Sequence, residues 1–268
     1  MTDRDVLRPP LDVAALRAEL IGAGQRWRQL DVVAQTGSTN ADLLARAASG
    51  IDIDGAVLIA EHQTAGRGRQ GRGWSATPRA QITMSVGVSV ADPIRVPTTT
   101  WGWLPLATGV AVVDAVAPLL QVNGVEAGLK WPNDVLAGGG KLAGILAEVA
   151  QPVVVIGVGL NVTQAPEEVA GATSLLDLGV AAPDREQLVC SLLRELGERI
   201  VQWRSAAPQL AADYRTRSLT IGARVRAQLP GGKEVVGTAR DIDDQGRLSL
   251  ETDGETVVVS AGDVLHLR

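Results

Sequence analysis

The chain has 268 residues, 46% hydrophobic and 21% charged, with a formal net charge of −5; it can build a sizeable core, and it lacks the broad positive charge of a protein that coats nucleic acid. The single cysteine excludes an internal disulfide, and the two histidines, His62 and His266, have no ligand-like spacing for zinc. The N-terminal MTDRDVLRPPLD has no apolar signal core, and no uninterrupted apolar run of about 20 residues appears, so a cytoplasmic chain without a membrane span is expected.

Val13, Leu16 and Leu20 predict a short helix over residues 11–21. A strand around Val32 and Val33 leads to TGSTN, where Ser38 or Thr39 caps a helix over 41–48 that stops near Gly50. A hydroxyl-rich helix start is a cap and also a site for an anion or polar ligand; the residues alone leave both readings open. Residues 56–63 read as a buried strand that includes His62, which is more structural than catalytic. Residues 81–90 read as another, with Ile82, Met84, Val86, Val88 and Val90 alternating. A long buried helix follows over 99–120. Then come KWPNDV, a triple-glycine turn, and a hairpin-like pair over 142–149 and 153–162, with Lys141 at the glycine-to-strand junction. Residues 187–203 form an amphipathic helix, and a second helix spans 209–217. Beyond Gly222, short alternating strands joined by Gly and Asp turns predict a small all-β module, a barrel, with its boundary near residues 219–222. Phe is absent, so the core is expected to rely on Val, Leu, Ile and Ala, with Cys190 buried in it.

The stretch GRGRQGRGW, residues 66–74, carries the strongest chemical signal. Its glycines allow close approach of backbone to a ligand, and Arg67, Arg69 and Arg72 present charged planar forks that fit phosphate or carboxylate. Trp74 adds a flat face for a ring. Two flanking strands make this a ligand-gripping loop on a rigid sheet rather than a disordered tail. No GxSxG elbow and no cysteine–histidine pair is available. Any reaction therefore leans on arginine, lysine and backbone groups through charge stabilisation.

Five strings in order, TGSTN, EHQTAGRGRQGRGW, KWPNDV, GKLAGILAE and GVGLNV, resemble the biotin protein ligases and cover most of residues 30–165. Gln70 departs from the family, which often has a basic residue there. About thirty-five residues precede TGSTN, too few for the family's DNA-binding domain, so the non-repressing type is expected. The resemblance implies an α+β fold: a central mixed or antiparallel sheet flanked by helices, like a class II aminoacyl-tRNA synthetase, over residues 1–220, and an SH3-like β-barrel over 221–268. It implies that biotin and ATP, with Mg2+, give biotinyl-5′-AMP and pyrophosphate. The biotinyl group then passes to a lysine on a biotin carboxyl carrier domain of acetyl-CoA or propionyl-CoA carboxylases.

By the same resemblance Lys141 and Arg67 are catalytic. Ser38, Thr39, Asn40, Gln63, Gly66, Arg67, Gly68, Arg69, Lys141 and Gly144 contact biotin. Arg67, Arg69, Arg72, Trp74, Asn133, Lys141 and Asn161 contact ATP or the adenylate, and Asp134 holds the metal. Monomer or weak homodimer, with no nucleic acid and no membrane, completes the expectation. A lipoate–protein ligase, a non-enzymatic biotin or nucleotide sensor, and a Gly/Arg nucleic-acid binder are the competing readings.

Overall fold

The structure is a computed structural model and describes residues 3–92, 96–164, 169, 171–229 and 231–267. In chain order it begins with α1 (Asp3–Val6), α2 (Val13–Leu20), β1 (Gln29–Val33), α3 (Thr39–Ala48) and β2 (Ala56–Ala60). The glycine-arginine stretch forms a small hairpin of β3 (Gly66–Arg67) and β4 (Gly73–Trp74). Then follow β5 (Gln81–Ser89), α4 (Trp103–Gln121), β6 (Ala127–Lys130), β7 (Asp134–Ala137), β8 (Gly140–Ala150) and β9 (Val153–Asn161). Two helices, α5 (Arg185–Arg204) and α6 (Pro208–Arg217), precede β10 (Arg224–Gln228), β11 (Glu234–Ile242), β12 (Leu248–Glu251), β13 (Thr256–Val259) and β14 (Asp263–His266).

A seven-stranded sheet runs in the order β1-β2-β5-β9-β8-β7-β6. Only β1 and β2 pair in parallel, so the sheet is mixed, as expected. In β5 the alternation is real but both faces are buried. Ile82, Met84, Val86 and Val88 join the large core beneath α4 and α5. The intervening Gln81, Thr83 and Ser85 face the other way, toward α3 and the loop, and are buried as polar residues. The strand over 56–60 ends before His62, which is half-buried outside it and lies 3.4 Å from Gln35 Oε1.

The stretch Thr98–Gln121 is long and apolar enough by composition to cross a membrane, with mean hydropathy 1.7. It is instead the core helix: the sheet covers one side and α5 another, so it is apolar nearly all round, apart from Asp114, which pairs with Arg199 and Arg217. Bulky fill comes from tryptophan as well as from the aliphatic residues. Trp27, Trp103, Trp131 and Trp203 are buried, and Tyr214 meets Trp103 edge-on at 5.8 Å. Each buried indole N–H has an acceptor: Leu193 O, Asp243 O, Gly246 O and Thr100 O respectively, as such rings require. Cys190 is buried as expected; burial first, then a hydrogen bond with Glu19, pushes its thiol up to about 12. It is an inert core residue.

The C-terminal strands form a five-stranded antiparallel sheet in the order β13-β12-β11-β10-β14. Its inner residues, among them Val225, Ala227, Ile242, Leu250 and Val264, belong to the same core as α4 and the large sheet. Trp103 and Trp131 from the larger unit donate to the β11–β12 turn at 2.9 and 3.0 Å. The two sheets are therefore fused rather than tethered. Trp131→Ala is expected to destabilise the protein by about 3–5 kcal/mol, as truncation of a buried aromatic does. Unfolding in denaturant should remain a single transition for both sheets; two separate transitions would refute a shared core.

Candidate active site

Ser38 caps α3, its Oγ accepting from the Ala41 amide at 3.5 Å. The cap presents the next two residues, Thr39 and Asn40, buried against the sheet. Thr39 Oγ1 lies 2.6 Å from Ser85 Oγ and 3.1 Å from Gln63 Oε1. Ser85 Oγ donates to Asn40 Oδ1 at 2.6 Å, and Asn40 Nδ2 donates to Glu148 at 2.8 Å. The first turn of α3 is thus both a cap and one wall of a polar network. That network lines one end of a cleft of about 420 Å³, an ordinary size for a small-molecule site.

The floor of the cleft is sheet with its side chains removed. Gly144 pairs with Gly159, and Leu146 with Gly157. A Cβ on Gly159 would come within 2.4 Å of the Trp74 ring, one on Gly144 within 2.8 Å of it, and one on Gly157 within 2.4 Å of Asn40 Oδ1. Only glycine lets these side chains lie on the backbone. Trp74 is fastened there by its Nε1, which donates to Gln81 Oε1 at 2.8 Å. Gln81 Nε2 in turn donates to Asn161 Oδ1 at 2.9 Å, and Asn161 Nδ2 to the Lys141 carbonyl at 3.1 Å. Asn161 therefore lies outside the cleft lining, supporting Trp74 and the Lys141 strand from behind.

Lys141 reaches the cleft through a β-bulge. Along β7 and β8 the register runs Val135↔Ala143, then Leu136↔Lys141, so Leu142 is an extra residue. Three residues apart, Lys141 and Gly144 would normally face opposite sides; one inserted residue puts them on the same side. Lys141 Nζ consequently sits 5.4 Å from the Trp74 ring centroid and 2.7 Å from Asp134 Oδ1.

The loop arginines share the cleft lining but take different partners. Arg67 pairs loosely with Glu148 at 3.7 Å, and Arg72 pairs with Asp263 at 2.9 Å. Arg69 is the least exposed, at 22% of its side chain against 53% for Arg67 and 59% for Arg72. It donates to Asn133 Oδ1 at 3.3 Å and to Gly262 O at 3.2 Å, bridging the loop to the C-terminal sheet. Burial pulls its pKa down, and the neighbouring Asp263 opposes that. Gln70 turns the loop's tip at φ +55° and stays outside the cleft, so its departure from a basic residue leaves the lining unchanged.

The structure brings Ser38, Thr39, Asn40, Gln63, Arg67, Gly68, Arg69, Arg72, Trp74, Asn133, Asp134, Lys141 and Gly144 to one cleft. Gly66 lies outside that lining and acts through backbone: it pairs with Trp74 in the small hairpin, where a Cβ would strike the Trp74 carbonyl at 2.4 Å. Neither histidine lines the cleft. His266 sits at the seam between the sheets, 3.0 Å from Thr220 Oγ1, and burial first, then the charge of Lys130, lowers its pKa. Sequence reasoning missed Gln81, Ser85, Glu148 and Asp263. The polar half of the 81–89 alternation was the available signal for the first two. Among the described residues no cluster of three or more His, Cys, Asp or Glu could hold a metal. The donor set fits only an ion carried in by phosphates and met by one carboxylate, the manner of magnesium.

Fold and cleft define an α+β protein that offers a cation-lined, polar-walled cleft to an anionic small molecule. The profile of the Biotin/lipoate A/B protein ligase family matches residues 32–161, and that of the Biotin protein ligase C terminal domain matches 220–267. The chain is 76% identical to the biotin–[acetyl-CoA-carboxylase] ligase of Mycobacterium tuberculosis, across 100% of both chains. It is 32% identical to the bifunctional ligase/repressor BirA of Escherichia coli, over 88% of this chain and 75% of that one. A solved structure of the Aquifex aeolicus biotin protein ligase in complex with biotin and ATP superposes with a TM-score of 0.75 at 24% identity, over 90% of this chain and 100% of that one. The chain belongs to the biotin protein ligase family and is a ligase.

If Trp74 pins the loop to the sheet, Gly159→Ala should lift it. Trypsin should then cut at Arg67, Arg69 or Arg72 several times faster than in the parent protein, with circular dichroism unchanged. Equal cutting rates would show that the indole is not the anchor.

Proposed function

We propose that this chain activates biotin with ATP as biotinyl-5′-AMP, releases pyrophosphate, and transfers the biotinyl group to a lysine of a biotin carboxyl carrier domain of acyl-CoA carboxylases. The observation that carries the reading is the convergence of Lys141 and the loop arginines on a cleft whose other end is a buried polar network. In the first step a biotin carboxylate oxygen attacks the α-phosphorus, and the bond to the β-phosphate oxygen breaks. Two anions must approach each other, so fixed positive charge is the main requirement. Lys141 and Arg67 supply it, Lys141 leaving Asp134 for the substrate oxygens. Arg69, Arg72 and Asn133 hold the nucleotide, and Trp74 covers the adenine. Magnesium, when bound with the triphosphate, neutralises its oxygens, and Asp134 is the carboxylate that would hold it. In the second step the carrier amine attacks the acyl carbon, the bond to AMP breaks, and the amine loses its proton. No nucleophile from this chain is needed.

Ser38, Thr39, Asn40 and Gln63, with Gly66, Gly68 and Gly144 keeping the approach open, receive biotin. Thr39, Asn40 and Gln63, networked with Ser85 and Glu148, suit its ureido donors and acceptors. A site built to satisfy such groups rejects a ligand lacking them, which favours biotin over lipoate. We assign the catalytic unit to residues 1–220, like a class II aminoacyl-tRNA synthetase, and an SH3-like barrel to 221–268. The segment ahead of β1 packs into the main core through Leu11, Leu16 and Leu20. We further read the chain as a non-repressing, cytoplasmic enzyme, a monomer or weak homodimer, that binds no nucleic acid.

With biotin, magnesium and ATP, the protein should release pyrophosphate and label a carrier domain, and lipoate should not replace biotin. Absence of biotin-dependent turnover would sink this reading, and turnover with lipoate alone would select a lipoate–protein ligase instead. Lys141→Ala should lower adenylation by about 10²–10³-fold with the fold intact, the usual loss for one charge-stabilising donor. Near-normal pyrophosphate release would remove Lys141 from the mechanism. The loop should close over the adenylate, which water would otherwise hydrolyse. Biotin and ATP together should therefore slow tryptic cutting at Arg67, Arg69 and Arg72; unchanged cutting would refute closure.

A further inference from the structure

Between α1 and α2 the chain has no regular structure and is stiffened by Pro9 and Pro10. It is nevertheless held by two buried arginines, Arg8 within it and Arg185 at the start of α5, 6% and 3% exposed. Burying a guanidinium is costly unless its donors are used, and here they hold backbone. Arg8 Nε donates to Thr163 Oγ1 at 2.9 Å, and its Nη2 donates to the Thr163 carbonyl at 2.8 Å. Arg4 donates to the same carbonyl at 3.0 Å and to Asp177 at 2.6 Å. Arg185 donates to the Pro9 carbonyl at 3.0 Å and to Glu61 Oε2 at 2.6 Å. The other oxygen of Glu61 accepts from the Leu11 amide at 2.7 Å.

Glu61 and Thr163 stand at the two feet of the glycine-arginine loop. The chain leaves β2 at Glu61, forms the loop, and returns through Arg79 and Ala80 into β5. The Arg79 amide donates to the Glu61 carbonyl at 2.7 Å, while the Ala80 carbonyl accepts from the Val162 and Thr163 amides at 3.1 and 2.9 Å. Next to Thr163, Gln164 Oε1 accepts from the Thr77 amide at 3.0 Å and from Gln81 Nε2 at 3.1 Å. Gln81 is the residue that fastens Trp74. Residues 4–12 therefore bracket the loop where it departs, through Glu61, and where it returns, through Thr163.

We propose that residues 4–12 form a strap that fixes both feet of the loop, and that Arg8 is a positioning residue for its nucleotide end. The proposal rests on the reading above, in which Trp74 covers the adenine and the loop closes over the adenylate. Arg8 lies outside the cleft lining and acts through Thr163, Gln164 and Gln81 on Trp74. A flap with fixed feet samples fewer arrangements when open, so closing it removes less freedom. Loosened feet let water reach the adenylate: water adds to the acyl carbon, the bond to AMP breaks, and biotin and AMP are released without transfer. The planar fork of arginine suits the task because it holds the carbonyl and the hydroxyl of Thr163 together, which the single ammonium of a lysine does not.

The test uses the full chain with Arg8→Gln, Arg8→Lys, Thr163→Val and the Arg8→Gln/Thr163→Val pair. KM for ATP and for biotin are measured in biotin-dependent pyrophosphate exchange, and AMP release is followed with biotin and ATP but no carrier. Tryptic cutting at Arg67, Arg69 and Arg72 is followed without substrates, and melting temperature is recorded for each variant. Arg8→Gln should raise the KM for ATP and carrier-free AMP release per adenylate formed by about fivefold or more, as loss of a charge-assisted hydrogen bond does. The KM for biotin should hold, and loop cutting should quicken. Thr163→Val, which keeps its carbonyl and its volume, should shift the same quantities less. The pair should fall short of the summed single effects, because both changes break one contact. Arg8→Lys should recover melting temperature but only part of the ATP and AMP effects. A lower melting temperature with unchanged KM for ATP and unchanged AMP release would overturn the positioning role, as would equal rises in both KM values. If the parent protein shows no biotin-dependent exchange, the ligase reading fails on its own, and the strap is decided by loop cutting: faster cutting in Arg8→Gln sustains it, and equal cutting overturns it.

Discussion

A cleft that binds an anion as charged as a nucleoside triphosphate must hold like charges together while it is empty. Here the repulsion is relieved by carboxylates placed among the cations. Asp134 stands against Lys141, Asp263 against Arg72 and Arg69, and Glu148 against Arg67. These pairs are partly exposed, so each is weak and exchangeable. They hold the cationic side chains extended into the cleft. Binding then swaps one acceptor for another rather than gathering scattered cations, which lowers the ordering cost of binding.

The counter-ions come from different parts of the chain, and this explains why the two sheets are fused. Asp263 begins β14, while Arg69 and Arg72 lie on the loop between β2 and β5. Their pairing is meaningful only if the sheets keep a fixed relation. Trp103 and Trp131 secure it by placing indole N–H groups on the β11–β12 turn, and the core continues without a break from α4 into β10, β11 and β12. The electrostatics of the cleft thus rests on apolar packing some distance from it.

The second device is subtraction of side chains. Gly144, Gly157 and Gly159 leave a bare strip of backbone on which Trp74, Asn40 and Lys141 lie. The bulge at Leu142 then brings Lys141 onto that strip beside Asp134. Without the glycines Trp74 would be lifted off the strip, and without the bulge Lys141 would face the other side of the sheet.

Much of this was legible in the residue order. The helices, the strand pairs, the C-terminal all-β segment and the arginine–glycine loop follow from local periodicity and turn chemistry, which act over a few neighbours. The loop motif and KWPNDV likewise identify which residues carry charge. What stayed hidden depends on residues distant in sequence. Asp263 meeting Arg72, Glu148 meeting Asn40, Ser85 meeting Thr39, and Asn161 withdrawing behind Lys141 all require strand order and register. His62 looked like part of a strand because its neighbours are apolar, yet pairing in β2 stops at Ala60. The sequence by itself determined which chemical groups exist and which local elements carry them. Only the tertiary structure decided which groups share a face and a counter-ion, because register, bulge and inter-sheet packing are set by contacts that no local window of residues contains.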